Sequence, residues 1–364
     1  LNIAPPRARY LHRGVARTAL RWVGLALVST GGWFLFDALG LTAPSLFAAL
    51  VVAVVFALTG IGPRRLPRPL SMAAQGTLAV TIGLMVDTET LSALGDNWIP
   101  AVLVGLATLV VSAGCGALLA LHRDVDPITG ALALIAGGAT GLVAIAKELG
   151  GDERIVAVVQ YLRVALVVVT MPLVVTFVFH EQSSSGPTVA EDGSYWWGTV
   201  FLLGAIVIGV AVGTLIRLPA PATLGPLFVA GTCELLGWPQ NIAVPELILP
   251  IAFMAIGWQA GLAFTMASLR AIGRIFPYAA ALVLVIAGIC ALLGWALSAT
   301  TGVSMLTGYL ATTPGGLAAV LAVSASTGAG VTFVACVQLI RLVSMLVSAP
   351  VAAKLYARRA AKRA

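Results

Sequence analysis

Charged residues are scarce: Asp, Glu, Lys and Arg make up 10% of the 364 residues, against roughly a quarter in soluble domains. A chain so poor in charge is neither an ordinary soluble domain nor a disordered segment. Histidine is scarcer still, with His12, His122 and His180 all in stretches that read as loops. No intramembrane His/Cys cluster can then hold a redox or hydrolytic metal. The four cysteines, Cys115, Cys233, Cys290 and Cys336, fall inside apolar runs at unrelated spacings, which gives no disulfide framework. There is no P-loop and no zincin motif. These absences argue against an enzyme, against a resident cofactor and against ATP-driven transport by this chain alone.

What is abundant is apolar, at 60% of the residues. A helix needs about 20 mainly apolar residues to cross a bilayer, so the length allows ten to twelve spans and no sizeable soluble domain. Apolar runs lie at 22–40, 43–61, 71–86, 98–121, 128–146, 155–179, 196–216, 222–237, 247–266, 275–299, 304–325 and 331–353. The expected fold class is an all-α polytopic membrane protein. Two runs, 128–146 and 304–325, carry glycine clusters near their middles, Gly137-Gly138-Ala139-Thr140-Gly141 and Thr312-Thr313-Pro314-Gly315-Gly316. Glycine and proline weaken a helix interior, so breaks are expected there.

The chain matches itself at an offset of 178 residues. Between 129–172 and 307–350 there are 15 identities in 44 ungapped positions, among them Gly137/Gly315, Gly138/Gly316, Gln160/Gln338, Arg163/Arg341 and Pro172/Pro350. In this register Asp37 falls opposite Leu215, and Glu234 opposite Phe56. Each half therefore carries six apolar segments.

Charge decides how the halves are oriented. If all twelve segments crossed, the repeats would be parallel, and Lys147, Arg154, Arg217, Arg270 and Arg274 would lie outside, against the positive-inside rule. If instead 128–150 and 304–326 enter halfway and return as re-entrant hairpins, each half has five crossings and the halves are inverted. On that reading 19 Lys and Arg are cytoplasmic, and the outward loops 87–97, 179–195, 238–246, 300–303 and 326–330 hold none. The favoured organisation is then a basic cytoplasmic arm at 1–21, repeat 1 at 22–179, an outward loop at 180–195, repeat 2 at 196–353 and a basic cytoplasmic tail at 354–364. The arm is too basic and too poor in apolar residues for a cleavable signal peptide. The net charge of +7 reports orientation in a bacterial inner membrane with both termini cytoplasmic, not a nucleic-acid partner.

Two of the 21 cationic side chains escape that account. Arg163 and Arg341 each lie about nine residues inside an apolar run, in duplicated Gln-x-x-Arg motifs. An arginine at mid-membrane costs at least ~2.5–3.5 kcal/mol, so each must face the protein interior and find acceptors. Residues three apart share a helix face, so Gln160 points with Arg163 and Gln338 with Arg341. In one reading the two guanidinium groups bind the charged end of an anionic substrate, since their planar forks suit carboxylate, sulfonate or phosphate. In the other, each arginine bonds open carbonyls at a helix break and holds the hairpin in place. The tip residues Gly137, Gly138, Thr140, Thr312, Thr313, Pro314, Gly315 and Gly316 join the candidate site, because glycine permits close approach and half-helix N-termini present free amides. Packing by small residues is the bland alternative for them.

Three stretches, GGATGLVAIAKELGGDERIVAVVQYLRVALVVVTMP, LATTPGGLAAVLAVSASTGAGVTFVACVQLIRLVSMLVSAP and LLGWPQNIAVPELILPIAFMAIGWQAGLAF, resemble the AbrB-type membrane protein family. The resemblance runs from about residue 25 to 355, and the two Gln-x-x-Arg segments are its most specific part. It implies an integral membrane protein with an internal duplication. Members are often labelled AbrB-like regulators or ammonia monooxygenases, but this sequence has neither a soluble DNA-binding domain nor a copper or iron ligand set.

Inverted repeats with interrupted helices at the midplane are the pattern of secondary transporters. The leading expectation is a carrier for a small organic anion that works by alternating access, with Na+ or H+ as the coupling ion. The hairpins and Gln-x-x-Arg helices would form a moving core, and the remaining helices a scaffold facing membrane lipid or a homodimer partner, as in elevator-type carriers. The alternative is a flippase or recycler of an anionic lipid head group; an intramembrane enzyme or a receptor is disfavoured.

Overall fold

A computed structural model of the chain describes residues 7–86, 88–96, 98–135, 139–181, 194–218, 220–238, 244–264, 266–271 and 273–345. Sixteen helices occupy them. The first eight are α1 (Arg7–Ala38), α2 (Pro44–Thr59), α3 (Arg68–Gly83), α4 (Thr88–Asp96), α5 (Trp98–Leu119), α6 (Pro127–Ala133), α7 (Ala139–Glu148) and α8 (Glu153–Phe177). The second eight are α9 (Tyr195–Leu215), α10 (Pro221–Leu235), α11 (Ile248–Gly261), α12 (Met266–Ala271), α13 (Phe276–Thr301), α14 (Met305–Thr312), α15 (Leu317–Thr327) and α16 (Val331–Met345). Five of them, in α1, α5, α8, α9 and α13, are long and apolar enough to cross a membrane, and shorter apolar helices accompany them. The chain is an all-α polytopic membrane protein.

The duplication reaches individual helix starts. Helices α5 and α13 begin at 98 and 276, α6 and α14 at 127 and 305, α7 and α15 at 139 and 317, and α8 and α16 at 153 and 331. Upstream the offset is one residue shorter. Ala43 and Ala220 both take left-handed backbone just before a helix-opening proline, and Gly60 and Gly237 both have positive φ after the next helix. The second repeat thus holds one extra residue between α10 and α11, which shifts the counterparts of Asp37 and Glu234 to Thr214 and Ala57. Two segments differ from the sequence reading. Residues 87–97, read as an outward loop, contain α4. The basic arm is helical from Arg7 onward, continuous with the first apolar run, as befits its good helix formers Arg, Ala and Leu.

The helices sort into two groups. In the first, α1 packs on α2, α2 on α11, α11 on α3, α3 on α10 and α10 on α9. The repeats are interlaced here, because α2 and α3 take their main partners from the other half. In the second group α5 packs on α13, α6 on α5 and α8, α7 on α8, and α14 on α13. Where helices press closest, glycine removes the obstructing side chain. A Cβ on Gly308 would lie 2.3 Å from the Gly294 carbonyl oxygen, and one on Gly83 would lie 2.6 Å from the Ala230 methyl. Among the described glycines, every helix-to-helix approach this close falls within one group or the other. The boundary between the groups, where α15 meets α3 and α11 and α8 meets α2 and α11, is lined by buried Ala, Val and Leu side chains such as Leu46, Leu78, Val320 and Ala322. Hydrogen bonds crossing it include the Thr42 N–H to Thr176 Oγ1 at 3.3 Å and Thr332 Oγ1 to the Met85 carbonyl at 3.2 Å.

The α13–α14 contact gives a test. Gly308→Ala forces a methyl into backbone, which should cost about 1–3 kcal/mol. Gly288→Ala on the open face of α13, with nothing within 4 Å, should leave stability unchanged. Thermal unfolding of the detergent-purified variants would show both outcomes.

Candidate functional site

The broken helices carry the chemistry. Helix α6 opens on Asp126, whose carboxylate accepts the Ile128 and Thr129 N–H groups and the Thr129 hydroxyl. Helix α14 opens on the equivalent Ser304, which accepts the Thr307 N–H at 3.1 Å and pairs with the Thr307 hydroxyl at 2.8 Å. Capping of this kind fixes where a helix begins. Thr129 Oγ1 also accepts the Asp152 N–H at 2.7 Å, which ties the start of α6 to the start of α8. In the second repeat a Cβ on Gly330 would sit 2.9 Å from Thr307, so the starts of α14 and α16 meet in the same way.

Each broken helix ends with carbonyls that no following turn can use. Gln160 Nε2 donates to the Leu132 carbonyl at 3.1 Å and to the Ile135 carbonyl at 2.7 Å. Gln338 Nε2 donates to the equivalent Leu310 and Thr313 carbonyls at 2.9 and 3.2 Å. Arg163 Nη1 reaches the Leu134 carbonyl at 3.4 Å, and Arg341 Nη1 reaches Thr312 at 3.1 Å and Thr313 at 2.7 Å. The same two side chains thus serve the same helix end in both halves. All four are buried, Arg163 and Arg341 being 5% and 6% exposed.

The halves differ in how fully they are satisfied. Arg341 Nη2 also donates to Gln338 Oε1 at 2.5 Å. In the first repeat Gln160 Oε1 and Arg163 Nε are buried without a partner. The two arginines approach through the second repeat's tip: Arg341 bonds the Thr312 and Thr313 carbonyls, and Gly315 lies against Val167, one helical turn from Arg163. Among the described residues the ion pairs are His122–Asp124 and Lys147–Glu153, and neither arginine faces a carboxylate.

The tips are placed unevenly. Gly137 and Gly138 lie outside the described residues, and Thr140 lies in α7 with its side chain outside them. The Thr312 hydroxyl donates to the Cys290 carbonyl at 2.8 Å, tying α14 to α13, and the Thr313 hydroxyl donates to the Tyr309 carbonyl at 2.7 Å. Pro314 and Gly315 are buried and Gly316 is half-buried. Gly315 and Gly316 press on Val167 and Val164 of α8, where added Cβ atoms would come within 3.2 and 3.7 Å. The second repeat's tip therefore rests beside Arg163 of the first. Sequence reasoning did not single out the capping pairs Asp126–Thr129 and Ser304–Thr307, although Thr129 and Thr307 are identical across the duplication. It also passed over a polar cluster joining α3, α10 and α11. There Gln75 Nε2 donates to Gln259 Oε1 at 2.9 Å and to Ser71 Oγ at 3.1 Å, and the Thr223 hydroxyl donates to Gln75 Oε1.

A family model described as transition state regulatory protein AbrB matches residues 45–357, a span that holds both broken helices and both Gln-x-x-Arg segments. The chain belongs to the AbrB family. It is 33% identical over 349 residues to "Putative regulator AbrB" of Escherichia coli (strain K12), covering 94% of this chain and 99% of that protein. It is 24% identical over 354 residues to "Uncharacterized protein YhjN" of Bacillus subtilis (strain 168), covering 89% and 90%. As a member of this family, the chain carries its cations where the bonds above put them, and those bonds are unequal in the two halves. Removing a donor from a buried acceptor costs about 1–3 kcal/mol. Arg341→Met, which frees the Thr312 carbonyl and Gln338 Oε1 and leaves the Thr313 carbonyl to Gln338 alone, should therefore lower the melting temperature more than Arg163→Met, which removes one long contact. Equal shifts would show that the two braces are equivalent.

Proposed function

We propose that this chain is a secondary transporter that moves a small organic anion of the carboxylate or sulfonate type across the bacterial inner membrane by alternating access, coupled to Na+ or H+. The observation that carries the proposal is the pair of buried guanidinium groups at equivalent positions of the two halves, with no carboxylate beside either among the described residues. Taking a charge out of water costs several kcal/mol unless an opposite charge compensates it. A bound anion supplies that compensation, and arginine's fork is built for carboxylate and sulfonate oxygens.

Four further features support transport. The start of α6 bonds the start of α8, so α6 and α7 leave and return at the same level, as a re-entrant hairpin does. From Glu153 to Arg163, ten residues at 1.5 Å each span about half of a ~30 Å hydrocarbon core, a depth that suits helix breaks near the midplane. Helices α4 and α12 are repeat equivalents of opposite charge: TETLSALGD carries acids only, whereas MASLRA carries Arg270 and is soon followed by Arg274. Inverted repeats put these two helices on opposite faces, the basic one inside. The two helix groups, each locked internally by close glycine contacts and meeting across an apolar boundary, are suited to an elevator motion in which the group carrying the arginines slides against the other.

Two measurements test this. With the chain in proteoliposomes, wild type should accumulate labelled organic anion in counterflow, and Arg163→Gln should reduce the initial rate at least tenfold. Full activity in a folded Arg163→Gln variant would remove the substrate role. Cysteines placed at Glu89 and Arg270 should react with a membrane-impermeant maleimide from opposite faces, and labelling from one face would refute the inversion.

A further inference from the structure

The unequal halves identify the kind of anion; this step rests on the transporter reading above. In the second repeat the Gln338–Arg341 pair is closed on itself and on the helix end, with Arg341 Nη2 on Gln338 Oε1 and Nη1 on two carbonyls. In the first repeat the same pair is open. Gln160 spends its amide donor on two carbonyls, while its acceptor Oε1 and the Arg163 donor Nε remain buried and unpartnered. A buried donor and a buried acceptor left idle are costly, and native proteins rarely tolerate them without a purpose.

We propose that Gln160 and Arg163 together form the recognition site for a 2-hydroxy carboxylate, and that Gln338 and Arg341 are its structural counterpart. The two idle atoms are of complementary kind and lie on one helix face, three residues apart. A ligand that answers both presents an anionic oxygen to Arg163 Nε–H and a hydrogen-bond donor to Gln160 Oε1. A carboxylate with a hydroxyl on the next carbon does so with a net charge of −1. An amino acid has the same shape, but its ammonium would bring a third cation to two guanidinium groups that already repel. The position fits, because the Gly315–Gly316 tip of the second repeat lies against Val164 and Val167, next to Arg163. The ligand would then sit where the two halves meet and sense their relative movement.

The test compares ligands that differ by one hydroxyl, using the full chain in lipid nanodiscs. Lactate should bind at least tenfold more tightly than propionate, and glycolate more tightly than acetate, by calorimetry and by the rise in melting temperature that native-state ligands produce. Arg163→Lys keeps the charge but loses the fork, and should weaken lactate binding at least tenfold with a small change in melting temperature. Arg341→Lys should lower the melting temperature more while keeping the preference for lactate in the protein that remains folded. Equal binding of hydroxylated and plain acids would overturn the 2-hydroxy assignment and leave the anion-transport reading standing. Loss of the preference in Arg341→Lys but not in Arg163→Lys would overturn the division of labour. If none of the four acids binds or is transported while another class of anion is, the assignment again fails alone; if no organic anion is taken up at all, the transporter reading falls with it.

Discussion

A helix that stops inside a membrane leaves carbonyl groups with nothing to bond, and hydrocarbon offers no water to take their place. The rest of this architecture follows from that constraint. The open ends of α6 and α14 are answered by an amide and a guanidinium from α8 and α16 respectively. These bonds form only if each broken helix is held at the right height and distance. Height comes from the caps at Asp126 and Ser304. Distance comes from the glycine contacts with α5 and α13, where a Cβ on Gly116 would fall 2.7 Å from the Gly130 carbonyl oxygen. Changing any one of these parts moves the carbonyls away from the donors that satisfy them.

Duplication then permits specialisation. One copy of the Gln-x-x-Arg brace is saturated, and the other performs the same backbone duty with fewer bonds. If the motif binds a ligand as proposed, a single unduplicated copy would have to hold its helix end and leave donors free at once. With two related copies, the second repeat can supply rigidity at Thr312 and Thr313 while the first keeps an idle donor and acceptor at Arg163 and Gln160. The cost is two like charges in a buried place, which on the proposed function a bound anion would offset.

Much of this was legible in the sequence, because its signals are ones that membranes enforce. An arginine in an apolar run needs a reason, a glycine cluster in a helix predicts a break, and a 178-residue self-match predicts paired elements. The bracing partners were not legible as residues, since the acceptors are backbone carbonyls of Leu132, Leu134, Ile135 and Leu310, and no side chain announces a carbonyl. Helix α4 was missed because nine residues with two acids and no long apolar face read as a loop. The interlacing of α2 with α11 and of α3 with α10 was hidden for a different reason. It is written in isolated glycines, Gly83, Gly257 and Gly261, whose role is visible only once their neighbours are in place.

That interlacing bears on what can move. Helices meeting through backbone, as α11 meets α2 where a Cβ on Gly257 would fall 2.5 Å from the Leu46 carbonyl oxygen, interlock at fixed register, because any slide drives backbone into side chains. Helices meeting through Ala, Val and Leu side chains have more than one register of similar packing, and interfaces of that kind are the ones that switch between discrete arrangements. Among the described glycines the closest backbone contacts lie inside each helix group, and the contacts between the groups are mainly of side chains. The softest boundary in the molecule is therefore the one that separates the arginine-bearing helices from α1–α3 and α9–α11. On the transport reading, a group that carries its own braces and its own caps would move along that boundary as a unit, with the described broken-helix carbonyls still bonded.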